Sequence, residues 1–306
     1  MTSSFRPRFI ATAPAAPASI PTSTLRQRFP GLTLVSAGQL PLAALAALFE
    51  AAFSGYAVPI RQNAALLAAR VRSEQIDLEH SRVALRDGAP CALCLLARRG
   101  DTMRIAAMGV VPAARGAGLG RLLLDEAIAV AREQRAARLL LEVLGSNAVA
   151  RRLYERAGLR PRRRLLGWQR APFTPRAEAA LRRTHCIELA RALGADHALD
   201  WPWQLAPASV ASGYAWMSTY AIADKAYAWI DDRARDRLAL GHLFVAPHAR
   251  GAGYARRLLV SLQAHFPGRA WTIPPLVPEE FGGAVLEALG FTRSALDQVE
   301  MELALG

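Results

Sequence analysis

The stretch VVPAARGAGLGRLLL, Val110–Leu124, decides the fold because it returns later in the chain as VAPHARGAGYARRLL, Val245–Leu259. The two stretches lie 135 residues apart and are identical at ten of fifteen positions. A second pair, LYERAGL (Leu153–Leu159) and VLEALGF (Val285–Phe291), follows at a separation of 132 residues. This separation is much longer than the roughly 20–50 residues of a solenoid repeat, so it predicts two tandem copies of one domain.

The size of the chain agrees with two folded domains. It has 306 residues, of which 52% are hydrophobic and 21% are charged. We predict a first domain over residues 25–171 and a second over residues 172–306, joined near APFTP, Ala171–Pro175. Residues 1–24 are rich in Ala, Pro, Ser and Thr, and we interpret them as a flexible tail, with an organelle transit peptide as the alternative. No apolar run reaches the roughly 18–20 residues that cross a membrane.

Strand and helix patterns alternate along the first copy. A strand and two helices precede three successive strands, and the glycine-rich stretch then opens a helix that is followed by a buried strand, a helix and a last strand. This order predicts an α/β fold, a mixed sheet with flanking helices. The predicted helices are Pro41–Phe53, Asn63–Glu74, Leu119–Gln134 and Asn147–Gly158, with Pro175–Gly194 and Tyr254–His265 in the second copy. The clearest predicted strands are Leu32–Ala37, Thr102–Val111 and Arg138–Leu144.

The glycine-rich loop Arg115–Gly120 predicts an anion site. It lies between a strand and a helix, where the first N–H groups of the helix have no partner and the helix dipole is positive. Glycines let a phosphate approach the backbone closely. The P-loop pattern fails, because Gly120 is followed by Arg-Leu rather than Lys-Ser/Thr. The dinucleotide pattern fails too, because Gly116, Gly118 and Gly120 are spaced G-x-G-x-G.

The loop resembles that of the acyl-CoA N-acyltransferase, or GNAT, superfamily. The family pattern is Arg/Gln-x-x-Gly-x-Gly/Ala after V-x-P, which fits RGAGLG after Val110-Val111-Pro112 and RGAGYA after Val245-Ala-Pro247. The resemblance implies that loop amides hold the pyrophosphate of acetyl-CoA and that the preceding strand pairs with pantetheine. The cofactor residues that it implies are Val110, Val111, Arg115, Gly116, Ala117, Gly118, Leu119, Gly120, Arg121 and Asn147, with Arg250, Gly251, Gly253 and Ala255 as a possible second loop.

The same resemblance implies two catalytic residues in the first copy. Transfer of an acetyl group to an amine needs a base for the amine and an acid for the leaving thiolate, and direct transfer needs no Cys or Ser nucleophile. Tyr154 matches the general acid of the family, Glu142 matches the base of some members, and Asn147 matches a pantetheine contact. Other interpretations stay open: Tyr154 as a core aromatic, Glu142 as the partner of an arginine with water as the base, and Asn147 as a helix cap alone.

The second copy lacks these groups. Alignment places Leu286 opposite Tyr154, Glu279 opposite Asn147 and Pro274 opposite Glu142. A leucine cannot donate a proton, and proline removes a strand N–H. We therefore expect a degenerate domain that is structural or binds CoA weakly.

The resemblance also implies where the acceptor amine binds. In the GNAT fold the first two helices and the last strands form it, which here indicates Phe53, Tyr56 and Ile60, with Arg163, Arg164 and Trp168 on the far side. The arginines favour an acceptor with a carboxylate, or they are simply solvated. We expect a primary amine of a small molecule or of a peptide or protein N-terminus. The alternative function is an acyl-CoA sensor without turnover.

Charge and cysteine content limit the partners. The net charge is +13, and 37 of the 38 basic residues are arginines, with Lys225 as the exception. A GC-rich coding bias, an anionic cofactor and nucleic acid could each explain this charge, but no zinc-finger or RNA-binding motif supports specific nucleic-acid binding. Cys91 and Cys94 have the spacing of a redox or zinc motif, but no second Cys or His pair lies nearby, and their apolar run favours two small core residues. With Cys186 the cysteine count is odd and forms no disulfide framework, which predicts a reducing, cytoplasmic location. We expect a monomer or a homodimer that contacts no membrane.

Overall fold

The computed structural model describes residues 28–56, 60–175, 180–214 and 216–306. Over these residues the strands form one twelve-stranded mixed sheet with flanking helices, which confirms the predicted α/β fold. We call residues 28–175 the first half and residues 180–306 the second half. The predicted tail, residues 1–24, lies outside the described residues. The predicted domain boundaries stay predictions.

The first half contains six strands and four α-helices within its described residues. The strands are β1 Leu32–Ser36, β2 Ile76–Arg86, β3 Ala89–Arg99, β4 Thr102–Val110, β5 Arg138–Leu144 and β6 Arg160–Arg170. The helices are α1 Leu42–Ala52, α2 Ala64–Glu74, α3 Leu119–Glu133 and α4 Ala148–Arg156.

The second half repeats this order over its described residues. Its strands are β7 Arg182–Thr184, β8 Met217–Ile222, β9 Ala226–Asp231, β10 Arg237–Val245, β11 Ala270–Pro278 and β12 Thr292–Ala304. Its α-helices are α5 Cys186–Gly194, α6 Pro207–Ser212, α7 Tyr254–His265 and α8 Gly283–Ala288.

The helix predicted over Pro175–Gly194 begins later than expected. Residues 182–184 form strand β7, which pairs with the edge of β8, and residues 176–179 lie outside the described part. The helix starts at Cys186, where the ring of His185 accepts the amide of Ile187. Pairing with a sheet edge therefore overrides the helical pattern of the preceding residues.

The two halves exchange their last strands. The sheet order is β1-β2-β3-β4-β5-β12-β6-β11-β10-β9-β8-β7. β12 lies between β5 and β6, and β6 lies between β12 and β11, with all of these contacts antiparallel. β12 of the second half thus lies beside β5 of the first half, and β6 of the first half lies beside β11 of the second. The β6–β12 pair is the centre of the sheet.

Alternating side chains cover both faces of the sheet. On β3, Leu93 and Leu95 belong to the core under α1, whereas Cys94 and Leu96 belong to the core under α3. This alternation is the two-residue period of a strand that is buried on both faces. The strand exchange contributes to a core in each half. Met301 of β12 is 0% exposed in the first-half core under α3, and Trp168 of β6 is 1% exposed in the second-half core.

A second contact between the halves is formed by the segment Trp201–Tyr214, which we call the bridging segment. Trp203 is buried in the first-half core, and its Nε1 donates to the carbonyl of Glu74 at 2.8 Å. The guanidinium of Arg99 lies 4.1 Å from the Trp203 ring centroid and donates to the Trp203 carbonyl. The bridging segment therefore attaches the second half to the end of α2. No helix among the described residues is long and apolar enough to cross a membrane.

Candidate functional site

Strands β4 and β5 separate at the carboxyl end of β4 and open a cavity. Their pairing runs from Thr102↔Arg138 to Ile105↔Leu141 and then stops, although β4 continues to Val110. The cavity of about 550 Å³ lies at this opening, between the end of α1, the glycine loop and α4. Beyond Ile105 the two strands no longer pair with each other, and the Ala106 carbonyl there accepts from Arg70.

The glycine loop has the geometry of an anion cradle. Gly116 and Gly118 have φ angles of +79° and +82°, which side chains rarely adopt, and Gly118 is the N-cap of α3. Within the described residues the amides of Gly116, Ala117 and Gly118 have no acceptor. These N–H groups and the helix dipole favour a phosphate. Of the predicted cofactor residues, Val110, Arg115, Gly116, Gly118, Leu119, Gly120 and Asn147 line the cavity, and Val111, Ala117 and Arg121 do not.

The arginine of the loop folds back onto the protein. Arg115 donates through Nε to the Val110 carbonyl at 3.0 Å and through Nη2 to the carbonyls of Ala52 and Ser54. The second loop repeats the first of these contacts, because Arg250 Nε donates to the Val245 carbonyl at 3.2 Å. In this structure the loop arginine thus fixes the loop to its strand and to the end of α1.

Tyr154 lies on α4 with its side chain at the cavity. The residue is 7% exposed, and its hydroxyl makes no hydrogen bond with a described residue. Burial raises the pKa of Tyr154 well above its ordinary value, because the phenolate would lose its hydration. The hydroxyl therefore keeps its proton at neutral pH, as a general acid must, although the same rise makes it a weaker acid.

Asn147 caps α4 and also contacts the opposite wall. Its Oδ1 accepts the amide of Ala150 at 3.1 Å, as predicted for a helix start. Burial raises the pKa of Tyr56, and hydrogen bonds with the Asn147 side chain and the Leu144 backbone partly offset this rise. Asn147 thus connects α4 with the segment that follows α1.

Glu142 is held by a buried arginine beside the cavity. Arg104 contacts both carboxylate oxygens of Glu142, with Nε at 2.9 Å and Nη2 at 2.7 Å from Oε2. Arg104 also donates to Glu74 at 2.6 Å, and the side chains of Glu142 and Glu74 are each 4% exposed. The arginine pairing is thus present, and Glu142 does not line the cavity. A base role for Glu142 stays a prediction.

The predicted acceptor residues separate into three places. Phe53 and Tyr56 line the cavity and pack edge to face with centroids 5.4 Å apart. Ile60 does not line the cavity and packs against the first-half core. Placing Trp168 on the far side of this pocket was wrong, because the strand exchange buries Trp168 in the second-half core.

Arg163 and Arg164 are paired with acids on or beside the exchanged strand. Arg163 lies 2.7 Å from Glu300, and Arg164 lies 2.8 Å from Asp297. They border a separate cavity of about 580 Å³ that shares Ser146 with the first cavity. Their charges are therefore largely neutralised.

Sequence reasoning missed two residues that shape the site. A Cβ on Gly109 would lie 3.0 Å from the Cβ of Ala52, so this glycine lets the end of α1 approach β4. Arg104 was missed as the partner of Glu142. An arginine inside the apolar run TMRIAAM is the signal that could have identified it, because a buried charge needs a partner.

The second half has an equivalent but chemically different site. Its β10–β11 pairing stops at Ala239↔Thr272, and a cavity of about 810 Å³ opens beyond it. Gly251 and Gly253 have φ angles of +78° and +77°, so the loop geometry matches that of the first half. Leu286 lines this cavity where the alignment places it opposite Tyr154.

One part of that alignment needs correction. The N-cap of α8 is Gly282, so Glu279 does not occupy the capping position of Asn147. Helix α8 is shorter than α4 at its start, and Glu279 instead lies 3.3 Å from Arg164 and from Arg293. The strand register supports placing Pro274 opposite Glu142, since Leu140 of β5 and Thr272 of β11 pair with equivalent positions of β4 and β10.

Known proteins with this fold include tandem acetyltransferases. A GCN5-related N-acetyltransferase from Sphaerobacter thermophilus aligns with a TM-score of 0.64 and 16% identity over 90% of this chain and 96% of that chain. A tandem GNAT protein from the clavulanic acid biosynthesis pathway aligns with a TM-score of 0.61 and 16% identity over 90% and 99%. At these identities the likeness concerns the fold.

Sequence comparison identifies the family of the first half. A mycothiol acetyltransferase from Beutenbergia cavernae is 48% identical over 60 residues, which are 20% of each protein, so the chain matches about a fifth of that relative. The acetyltransferase (GNAT) family matches residues 44–159, which include the glycine loop, Glu142, Asn147 and Tyr154. Residues 44–159 therefore belong to the GNAT family, and the fold of the whole chain is similar to that of a tandem GNAT protein.

Proposed function

We propose that this protein is an acetyl-CoA-dependent N-acetyltransferase whose chemistry takes place in the first half. The acceptor is a primary amine of a small molecule or of a peptide or protein N-terminus. One observation carries the proposal: the hydroxyl of Tyr154, which hydrogen-bonds with none of the described residues, shares a cavity with the glycine loop at the opening of β4 and β5. The family of residues 44–159 and the acetyltransferase relative support the same conclusion.

The residues at the cavity fit acetyl-CoA. The unpaired amides of the loop, Gly116–Gly118, suit a pyrophosphate. The part of β4 beyond Ile105 does not pair with β5 and suits the amides of pantetheine, although its Ala106 and Val110 carbonyls already accept from Arg70 and Arg115. Asn147 borders the same opening. When bound there, acetyl-CoA supplies an activated acyl thioester.

Acetyl transfer requires protonation of the leaving sulfur and deprotonation of the amine, and different groups carry out these two steps. Tyr154 donates its proton to the leaving sulfur, because protonation stabilises the thiolate as it leaves. Because Arg104 holds both oxygens of Glu142, we assign the amine proton to water, with Glu142 as the alternative base. Phe53 and Tyr56 form the wall against which the acceptor is oriented.

The decisive experiment is Tyr154→Phe in a thiol-release assay with acetyl-CoA and a panel of amines. We expect the transfer rate to fall by roughly 10²–10⁴-fold, while calorimetry gives an unchanged affinity for acetyl-CoA. Tyr220→Phe, a tyrosine in the second-half core, is the matched control. A wild-type rate for Tyr154→Phe across the pH range would refute the acid role.

The second candidate function is an acyl-CoA sensor without turnover. The observation that favours it is Leu286, which leaves the larger cavity without a proton donor at this position. The same assay separates the two functions, since a sensor binds acetyl-CoA but releases no thiol with any amine.

A further inference from the structure

The cavity of the second half is larger and more apolar than the one assigned to acetyl transfer. Its volume is about 810 Å³, against about 550 Å³ in the first half. Leu286 stands where the first cavity has Tyr154, and the polar side chains of this lining are His242, Arg250, Tyr254, Arg256 and Glu280. The wall consists largely of large apolar side chains, among them Trp201, Leu205, Phe244, Val277, Phe281 and Leu286.

The arginine pairing at the loop end of this cavity differs from that of the first half. The loop arginine Arg250 pairs with Asp196, whereas its equivalent Arg115 bonds only backbone carbonyls among the described residues. In the first half, Arg121 pairs with Asp125 at 2.8 Å. The matched residue, Arg256, donates to the carbonyl of Ala288 at 3.1 Å and forms no ion pair with a described residue. The loop geometry at Gly251 and Gly253 repeats that of the first half, and together with the charge of Arg256 it favours an anionic group at the loop.

A buried histidine on the cavity wall has one unused acceptor. His242 is 4% exposed, and its Nε2 lies 2.9 Å from the Leu205 carbonyl. A carbonyl can only accept, so Nε2 carries the proton and Nδ1 is an acceptor. Burial lowers the pKa of His242 to about 4, which keeps the ring neutral. Among the described residues no donor reaches Nδ1, and the matched residue of the first half is Ala107.

We propose that the second half binds, without turnover, a coenzyme A thioester whose acyl chain is longer than acetyl. The loop Arg250–Ala255 and Arg256 hold the phosphates, His242 Nδ1 accepts an amide N–H of pantetheine, and the apolar wall takes the acyl chain. Leu286 offers no proton to the sulfur, so the thioester stays intact. The assignment of the phosphates to the loop rests on the proposed function of the first half.

The test is calorimetry on the full chain with acetyl-CoA, decanoyl-CoA and free decanoate. The matched variants are Gly118→Val and Gly253→Val, each of which places a branched side chain at a left-handed φ in one loop. We expect Gly118→Val to retain a decanoyl-CoA site that binds roughly tenfold or more tightly than acetyl-CoA, because the apolar wall buries the longer chain. Gly253→Val should lose that site.

Three results would overturn the proposal. They are an unchanged decanoyl-CoA site in Gly253→Val, equal affinity of that site for acetyl-CoA and decanoyl-CoA, and equal affinity for decanoate, which would make it a fatty-acid site. Near-ultraviolet circular dichroism verifies the folding of each variant. If Gly253→Val does not fold, Leu286→Trp, which fills the apolar wall, should weaken decanoyl-CoA at least tenfold, and an unchanged affinity refutes the proposal.

The two proposals fail separately. If Gly118→Val transfers acetyl groups at the wild-type rate, the proposed function of the first loop is wrong. The decanoyl-CoA site is read from binding, so its result does not depend on that rate. His242→Ala gives the second half the first-half residue, and it should weaken decanoyl-CoA roughly tenfold while leaving decanoate unaffected; equal effects on both ligands would contradict the pantetheine contact.

Discussion

Glu142 and Arg104 form a buried ion pair between β5 and β4, with Oε2 and Nη2 2.7 Å apart. Arg104 continues to Glu74, and the second half reaches the same residue, because Trp203 donates to its carbonyl and Tyr214 donates to its carboxylate. The strand that carries the candidate base is therefore connected through two ion pairs to the bridging segment of the other half.

We expect Glu142→Gln to lower the free energy of unfolding strongly and to change kcat/KM for acetyl transfer little. Removal of one charge from a buried pair typically costs about 3–5 kcal/mol, because the other charge stays buried. Asp125→Asn is the control, since its pair with Arg121 is half-exposed and worth about 0–1 kcal/mol. Thermal unfolding gives the stability, and the pH profile of kcat/KM gives the chemistry. Loss of the acidic limb of that profile would identify Glu142 as the base.

Stability should depend on pH through Glu74. Burial raises the pKa of Glu74, but Arg70 and Arg104 more than offset this, so the pKa lies below its ordinary value of 4.5. The ionised form therefore stabilises the fold above pH 4.5, and this contribution is lost as the pH falls through the lowered pKa. Thermal unfolding of the wild type and Glu74→Gln should differ most at neutral pH and converge in acid. A constant difference across pH would contradict the linkage.

The bridging segment should be energetically important. We expect Trp203→Ala to cost about 3–5 kcal/mol, because it leaves a cavity in the first-half core and removes the hydrogen bond to Glu74. Chemical denaturation measures this change. Trp216→Ala is the control, because Trp216 is only partly buried and stacks on Arg233. Equal effects of the two substitutions would mean that the bridging segment contributes little.

The strand exchange predicts that the last strand of the chain supports the first half. Met301 of β12 is fully buried in the first-half core, so Met301→Ala should destabilise the protein by about 2–5 kcal/mol. Acetyl transfer should be inactivated at a lower temperature than in Val285→Ala, which alters an exposed side chain of the second half. Inactivation at the wild-type temperature would show that the first half does not need β12.

The sequence predicted individual strands and helices well where the hydrophobic periodicity agreed with the capping and turn residues at their ends. The bounds of β5 and α7, and the cap of α4 at Asn147, follow directly from their patterns. The strand exchange could not be predicted, because the residues of β6 and β12 show that each is a strand but not which neighbour it pairs with. Pairing across more than a hundred residues depends on the whole sheet.

The site was predicted where chemistry lies close in sequence. The loop, Asn147 and Tyr154 meet at one cavity because each follows directly from a strand that ends there. The environment of Glu142 was not predictable in the same way, since its partner Arg104 lies on another strand. Trp203 was missed because it lies in a short 3₁₀ helix between α5 and α6, where no long periodic pattern marks a buried side chain.

The exchanged strands have a consequence for how such a chain can change over generations. The second copy can lose its acid, its cap and its strand donors without harm to the first, as Leu286 and Pro274 illustrate. Its final thirteen-residue strand lies beside β5, so a deletion of the second copy would leave β5 without this neighbour. Duplication with strand exchange thus makes the first half depend on the second for a neighbour of β5, whichever ligand the second cavity binds.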